Sequence, residues 1–424
     1  MHTVQHVKPL SAETMEEKTG FNKQAIHADG VKKDPYGALS VPVYNAAAFE
    51  FDSAEAMELA FTGKTNDFVY ARISNPTVQA FENKIKALTG AHSVTALNSG
   101  MAAISNALMC VAWSGCNIVT TRHLFGNTYS LLDSTLATFG VETRFCDLTD
   151  IRDIEKNIDE NTCAVFLEII SNPQLEVADL KLISRLTAEK HIPLIADTTI
   201  IPFCNFNAGD FGVDIEVVSS TKYISGGATS VGGLILDYGK FDWLHSKRLK
   251  QLASEKGRDA FTFKLKREIH RNLGAYMTPQ VAYMQSLGLE TLQLRYQKAS
   301  ATAAALAHQL AELPAVQCVN YPGLASNPFY AVSKSQFGSN PGAMLTFDLE
   351  SEAACFAFLN KLKLIKRATN LFDNKSLALH PYNTIYGNYS KEAKALMHIH
   401  DTTIRLSVGL EDVEDLMKDL HHSI

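Results

Sequence analysis

Between residues 76 and 235, short apolar runs rich in β-branched residues alternate with segments of helical spacing, such as Phe81, Ile85 and Leu88. Strands that alternate with helices are joined by right-handed crossovers, so the alternation predicts a mostly parallel sheet with helices on both faces. The predicted strands are residues 93–97, 117–121, 162–167, 193–197, 214–219 and 232–236.

The chain has 424 residues, which exceeds the size at which one core keeps growing, so we expect more than one domain. We predict an extended N-terminal arm over residues 1–75, a large domain over 76–273 and a smaller α+β domain over 274–424. The charged segment 245–272 is interrupted by acidic and aromatic residues, which predicts a solvated linker helix rather than a site for phosphate-bearing polymers.

The composition favours a soluble enzyme. Hydrophobic residues make up 46% and charged residues 20%, and the net charge of −6 gives no reason to expect nucleic acid or an anionic membrane as a partner. No run is long enough for a membrane span, and the first residues lack the apolar core of a signal peptide. Seven scattered cysteines without a Cys-x-x-Cys pair predict reduced, mostly buried thiols of a cytoplasmic protein, and no metal-binding histidine spacing occurs.

Lys222 follows the apolar run 214–219 and precedes the pair Gly226-Gly227. A rigid strand end with small hydroxyl neighbours suits an imine-forming lysine. Asp197 ends the run 193–197, and ligands of parallel sheets gather at the carboxyl ends of the strands. The two side chains could therefore hold opposite ends of a pyridoxal ring, with the carboxylate paired to the ring nitrogen. Taken alone, Lys222 is equally compatible with a solvated strand end.

Ser99, Gly100 and Met101 lie where a predicted strand ends and a helix begins. Free backbone N–H groups and the helix dipole make such a junction a phosphate site, and Ser219 and Thr221 could donate hydroxyls to the same phosphate. A plain strand-to-helix turn is the alternative.

Arg405 lies inside an apolar strand, where an unpaired charge is costly. Its planar fork suits a substrate α-carboxylate, and an internal salt bridge with Glu411 or Asp412 is the alternative. Tyr70 and Arg72 lie in a predicted loop and, taken alone, indicate only a surface turn.

Together these segments resemble the Cys/Met-metabolism family of pyridoxal-phosphate (PLP) enzymes over nearly the whole chain. The shared motifs are Tyr70-x-Arg72-x-x-Asn75-Pro76-Thr77, Ser99-Gly100-Met101-Ala102-Ala103, Glu168 with Asn172-Pro173, Asp197, Ser219-x-Thr221-Lys222-Tyr223, and Arg405-Leu406-Ser407-Val408-Gly409-Leu410-Glu411. The resemblance implies an α/β fold-type-I, aminotransferase-like transferase that binds PLP through Lys222 and Asp197. It also implies that Tyr70 and Arg72 reach the cofactor phosphate of a neighbouring subunit, in a homotetramer made of two catalytic dimers.

Within this family the segment from Asn370 to Leu377 is most similar to O-acetylhomoserine sulfhydrylases, which implies that Asn370, Asn172 and Arg405 bind the substrate. Phe125 lies where the family usually has a tyrosine that stacks on the cofactor ring and protonates a leaving group. Phenylalanine keeps the stacking and loses the acid. A thiolate, with a conjugate-acid pKa of roughly 8.5, leaves poorly without a proton, whereas a carboxylate at about 4 leaves readily. An ester substrate is therefore favoured, although Tyr70 could supply a proton instead.

Three functions remain in competition. The first is replacement of the acetate of O-acetylhomoserine by sulfide or a small thiol, and the second is a γ-lyase that cleaves methionine or cystathionine. The third is a catalytically silent assembly partner, against which the intact Lys222, Asp197 and Arg405 argue. Thr198, Gly227 and Phe372 depart from the family pattern and leave the choice of substrate open.

Overall fold

A computed structural model describes residues 20–28, 34, 36–339 and 341–424. Much of the arm expected before residue 36 therefore lies outside the described residues. The twelve strands of the described residues, β1 to β12, are Ser93–Leu97, Asn117–Thr120, Glu142–Phe145, Thr162–Glu168, Leu194–Asp197, Ile215–Val218, Gly233–Asp237, Cys318–Asn320, Met344–Asp348, Lys366–Arg367, Leu377–Leu379 and Thr403–Ser407.

The α-helices α1 to α16 are Phe21–His27, Ala54–Phe61, Pro76–Thr89, Gly100–Val111, Gly126–Ser130, Ile151–Asn157, Leu180–Glu189, Lys250–Lys256, Ala260–Lys264, His270–Leu273, Pro279–Glu290, Leu292–Leu310, Tyr330–Phe337, Glu352–Lys361, Lys391–Leu396 and Val413–Ser423. Short 3₁₀ segments lie at Leu136–Phe139, Ala208–Phe211, Tyr223–Ser225, Trp243–His245, Gly257–Asp259 and Pro381–Asn383, and π-helical turns at Leu131–Thr135 and Leu265–Ile269.

The large sheet has the strand order β1-β7-β6-β5-β4-β2-β3. Strand β7 runs antiparallel to β1 and β6, and every other pair in this sheet is parallel. The prediction of a mostly parallel sheet is therefore confirmed. The register places Glu168 beside Asp197 and Asp197 beside Val217, so polar strand ends meet along one edge.

The apolar core lies on both faces of this sheet. Along β4, Val165 and Leu167 pack into one buried cluster while Ala164 and Phe166 pack into the other. A strand buried on both faces must be apolar at successive positions, which explains the continuous apolar run in this part of the sequence.

The smaller sheet has the order β10-β11-β12-β9-β8, in which only β10 and β11 are parallel. With α12 and α14 against it and α16 packed on these two helices, this sheet forms the smaller C-terminal α+β unit that the sequence predicts. The boundary at residue 274 stays a prediction.

The single solvated helix predicted over 245–272 is wrong. The segment breaks into α8, α9, a π-helical turn and α10, and Phe261, Leu265 and Ile269 are buried. Phe261 stacks on Trp243 with ring centroids 5.2 Å apart. The apolar residues among the charges therefore belong to the buried cluster on one face of the large sheet, where they pack against α4.

The seven cysteines are all free thiols, and five of them are buried. This agrees with the predicted absence of a disulfide framework. Among the residues that the structure describes, we find no helix with the length and apolar character needed to cross a bilayer.

Candidate active site

A cavity of about 270 Å³ opens at the carboxyl ends of the large-sheet strands. It collects residues that lie more than a hundred positions apart in the chain. Nine of the predicted site residues line it: Ser99, Gly100, Met101, Phe125, Asn172, Asp197, Ser219, Thr221 and Lys222. The edge of a parallel sheet thus brings together most of the residues predicted to hold a cofactor.

Lys222 begins the 3₁₀ segment that follows β6, and its amine points across the cavity. Its Nζ donates a hydrogen bond of 2.7 Å to Oδ1 of Asn370. Burial and the charge of Arg405 lower the pKa of Lys222 to about 8, although Asp197 opposes the shift. More of the amine is therefore neutral near pH 7 than for an exposed lysine, and the neutral amine is the nucleophile.

Asp197 and Glu168 form a pair of buried carboxyl groups at the ends of adjacent strands. Oδ1 of Asp197 accepts a 2.9 Å hydrogen bond from the N–H of Thr199, and Oε1 of Glu168 accepts one of 2.7 Å from the N–H of Phe125. Burial raises the pKa of both groups, and the charge of Asp197 raises the pKa of Glu168 well above its usual range. Two neighbouring buried carboxyls do not both ionise readily, which is why the pKa of Glu168 rises.

The junction before α4 has the shape of an anion cradle. The hydroxyl of Ser99 caps the helix by accepting a 3.1 Å hydrogen bond from the N–H of Ala102. At Gly100 a Cβ atom would lie 2.7 Å from Cβ of Ser219, so a side chain there would push the helix start away from Ser219. Glycine therefore permits the close approach of helix and hydroxyl that a bound phosphate requires.

Thr221 is engaged differently from the prediction. Its hydroxyl donates to the carbonyl of Gly232 at 3.1 Å and accepts from the N–H of Gly232 at 3.0 Å. In this arrangement it holds the loop before β7, and it must rotate to donate a hydrogen bond to a phosphate.

Arg405 is a buried cation held only by neutral acceptors. It is 1% exposed, its Nη1 donates to Oδ1 of Asn172 at 3.1 Å, and its Nη2 donates to the carbonyl of Asn370 at 3.2 Å. Its buried Nε has no partner among the described residues, and burial lowers its pKa to about 10. A charge in this state favours an anionic ligand.

The alternative salt bridge to Arg405 is not formed. Glu411 instead accepts hydrogen bonds from the backbone and hydroxyl of Ser376, both at 2.8 Å. Asp412 pairs with Lys298 at 3.1 Å. Both carboxylates are therefore occupied elsewhere, and the role of Arg405 in binding a substrate α-carboxylate stays a prediction.

Tyr70 and Arg72 lie outside the Lys222 cavity. They line a different depression together with Asn45 and Tyr276. Tyr70 is 43% exposed, and the guanidinium of Arg72 lies 5.5 Å from its ring centre. Within one chain these residues do not reach Lys222, and their expected action in a neighbouring subunit stays a prediction.

Phe372, one of the residues that depart from the family pattern, does not line the cavity. Its ring is buried and stacks on Tyr223 with centroids 4.3 Å apart, while the preceding Leu371 faces the cavity. This stacking holds Tyr223, the residue that follows Lys222, in place.

Sequence reasoning missed three contributors to the site. Glu168 was named only as part of a motif, although it ends β4 as Asp197 ends β5. Thr199 lines the cavity and fixes Asp197. Tyr386 donates from its hydroxyl to the carbonyls of Leu124 and Asn172, both at 2.9 Å, and so ties two cavity loops together. Because Tyr386 lies 214 residues from Asn172 in the sequence, no local sequence pattern predicts this contact.

The cavity fits a planar cofactor with a phosphate tail. It offers an amine of lowered pKa, a carboxylate for a ring nitrogen, an aromatic face at Phe125 and a glycine-bearing helix start. These elements come from four strand ends and need no rearrangement of the backbone to face one cavity.

The chain matches known proteins along nearly its whole length. A family model described as Cys/Met metabolism PLP-dependent enzyme matches residues 22–424. The L-methionine gamma-lyase of Fusobacterium nucleatum subsp. nucleatum is 34% identical over 411 residues, which cover 96% of this chain and 98% of that protein.

Two solved structures are also similar to this chain over most of its length. That of O-acetylhomoserine sulfhydrylase from Wolinella succinogenes is 47% identical with a TM-score of 0.75 and covers 82% of this chain and 97% of its own. A structure from Campylobacter jejuni, 32% identical with a TM-score of 0.89, contains N'-pyridoxyl-lysine-5'-monophosphate and covers 96% of this chain and 99% of its own.

Proposed function

Because the chain belongs to the Cys/Met metabolism family of PLP-dependent enzymes, we propose that it replaces the acetate of O-acetylhomoserine with sulfide or a small thiol. The products are acetate and homocysteine, or methionine when the thiol is methanethiol. The proposal names one reaction within a family of transferase-type PLP enzymes.

Bound PLP supplies an electron sink that makes the α-proton of an amino acid removable. The residues of this chain supply the rest. The amine of Lys222 would form the covalent attachment to PLP and, once free, would take the α-proton, because burial and the charge of Arg405 lower its pKa to about 8. Asp197 keeps a negative charge at the ring nitrogen, and Arg405 with Asn172 orients the substrate carboxylate.

The observation that carries the choice of substrate is the apolar ring of Phe125 in the cavity wall. Among the described residues, no tyrosine, histidine or cysteine side chain lines this cavity. Acetate needs no proton to leave, whereas a thiolate does, because their conjugate acids differ in pKa by about 4. The cavity therefore favours an ester over a thioether.

A γ-lyase acting on methionine is the second candidate. It is supported by the similarity to L-methionine gamma-lyase and would need a proton donor for the departing thiolate that the side chain of Phe125 cannot provide. Tyr70 of a neighbouring subunit is the candidate donor.

We propose that two chains build each site in this way, with Arg72 reaching the same cofactor phosphate, and that two such dimers form a homotetramer. The free cysteines are compatible with work in the cytoplasm.

The test uses the purified holoenzyme in two parallel reactions. One contains O-acetylhomoserine with sulfide, and homocysteine and acetate are measured. The other contains methionine alone, and ketoacid is measured. The proposal expects homocysteine formation to be faster by at least about tenfold. Ketoacid release from methionine at an equal or higher rate would replace it with the lyase.

A further inference from the structure

Outside the Lys222 cavity, His123, Glu176 and His398 bring one ligand atom each within 4.8 Å of one another. Nδ1 of His123 lies 2.6 Å from Oε2 of Glu176, and the rings of His123 and His398 lie 4.7 Å apart between centroids. The three residues are 53 and 222 positions apart in sequence, which is why no local spacing predicts the group.

Each residue comes from a different, fixed segment. The N–H of His123, after β2, donates to Oγ1 of Thr121 at 3.2 Å, and the N–H of Glu176, after β4, donates to Oγ of Ser171 at 3.0 Å. His398 precedes β12 and has a φ of 53°, a conformation that a non-glycine residue adopts only when its surroundings impose it.

The neighbouring contacts impose that conformation. Met397 and Ile399 on either side of His398 are buried, and Nε2 of Gln174 donates to the carbonyl of Met397 at 2.6 Å. The loop of His398 is therefore already attached to the loop of Glu176. The exposed imidazole of His398 makes no hydrogen bond to any residue that the structure describes, so it can rotate without losing one.

We propose that these three side chains bind one Zn²⁺ ion. Two imidazoles and a carboxylate are a typical ligand set for zinc, and they leave the fourth tetrahedral position to water. Zinc bonds of about 2.0–2.2 Å place neighbouring ligand atoms roughly 3.5 Å apart. The group reaches this spacing when His398 turns inward by about an ångström and the contact between His123 and Glu176 widens.

Zinc at this position links the walls of the active-site cavity to the C-terminal unit. His123 lies two residues before Phe125, and Glu176 lies four residues after Asn172, both of which line the cavity. His398 belongs to the segment that leads into β12, the strand of Arg405. The ion therefore acts as a clamp that holds the Phe125 and Asn172 loops against the segment before Arg405, independently of which substrate the cavity converts.

The experiment measures zinc itself, without substrate. Holoenzyme is freed of metal with a chelator, titrated with ZnCl₂ by calorimetry, and its metal content is measured after gel filtration. We expect one Zn²⁺ per chain, and binding at least about tenfold weaker in His398→Ala. His400→Ala removes an exposed histidine of the same segment, and Cys318→Ser removes the exposed thiol, so both should bind like the parent.

Cofactor absorbance and circular dichroism show that each variant is folded. Glu176→Gln provides a second removal of a ligand, which should also weaken binding. The proposal is overturned if the parent retains no stoichiometric zinc, or if His398→Ala binds it as tightly as His400→Ala does.

Discussion

The amine of Lys222 lies 2.7 Å from the amide oxygen of Asn370, so the residue after a large-sheet strand meets a loop of the C-terminal unit inside the cavity. The same Asn370 offers its carbonyl to Arg405 at 3.2 Å. One residue therefore contacts both the amine proposed to take the cofactor and the cation proposed to bind the substrate carboxylate.

Replacing Asn370 with alanine should destabilise the apoenzyme more than the holoenzyme. Without cofactor the buried amine of Lys222 loses its acceptor, which costs about 1–3 kcal/mol, whereas attachment of the cofactor satisfies that amine in another way. Urea unfolding of both forms measures the difference. Asn383→Ala, at an exposed site, is the control. An equal loss in apoenzyme and holoenzyme would contradict this role of Asn370.

Arg405→Lys should raise the KM for O-acetylhomoserine by roughly 10–100-fold, because lysine keeps the charge and loses the two-pronged geometry that a carboxylate needs. The KM for sulfide should stay unchanged, since sulfide has no carboxylate, and this provides an internal control. Steady-state kinetics with each substrate varied in turn measure the two KM values separately. An equal increase in the KM for both substrates would mean that Arg405 stabilises the cavity as a whole and does not bind the carboxylate specifically.

Capture of PLP by the apoenzyme should follow the titration of Lys222. Burial and the charge of Arg405 lower its pKa to about 8, so the neutral, reactive amine predominates above that pH. The rate of capture should increase up to about pH 8 and then level off. Stopped-flow absorbance across the pH range measures it. A rate that continues to increase toward the ordinary lysine pKa of about 10.4 would contradict the lowered value.

Phe125→Tyr should enable the enzyme to cleave methionine. A hydroxyl in the cavity wall can protonate the departing thiolate, and general acids typically contribute about 10²-fold or more. Phe125→Leu, which has no hydroxyl, should show no such gain. Ketoacid release from methionine is the measurement. If the tyrosine variant cleaves methionine no faster than the leucine variant does, the missing acid is not what selects the ester.

The sequence predicts most of the large sheet well, because its central strands are buried on both faces and are mostly apolar. It does not predict β3, whose residues Glu142, Thr143 and Arg144 are polar because the strand lies at the sheet edge. The interpretation of segment 245–272 was wrong because its many charges obscure Phe261 and Leu265, which belong to a buried apolar cluster.

The same contrast between local sequence patterns and long-range packing applies to the site. Lys222 and Asp197 are predictable because Asp197 ends β5 and Lys222 lies only four residues after β6. The partners of Arg405 are not, because Asn172 lies 233 residues away and only tertiary packing brings it close. The group of His123, Glu176 and His398 was missed for the same reason, since its members come from three separate loops.

The most direct test of the account asks which lysine carries the cofactor. The holoenzyme is reduced with borohydride, digested, and the cofactor-labelled peptide is identified by mass spectrometry, with Lys222→Ala treated in parallel. We predict that the label lies on Lys222 and that the variant loses both the label and the visible absorbance of the cofactor. A label on another lysine, or an unchanged absorbance in Lys222→Ala, would contradict the account.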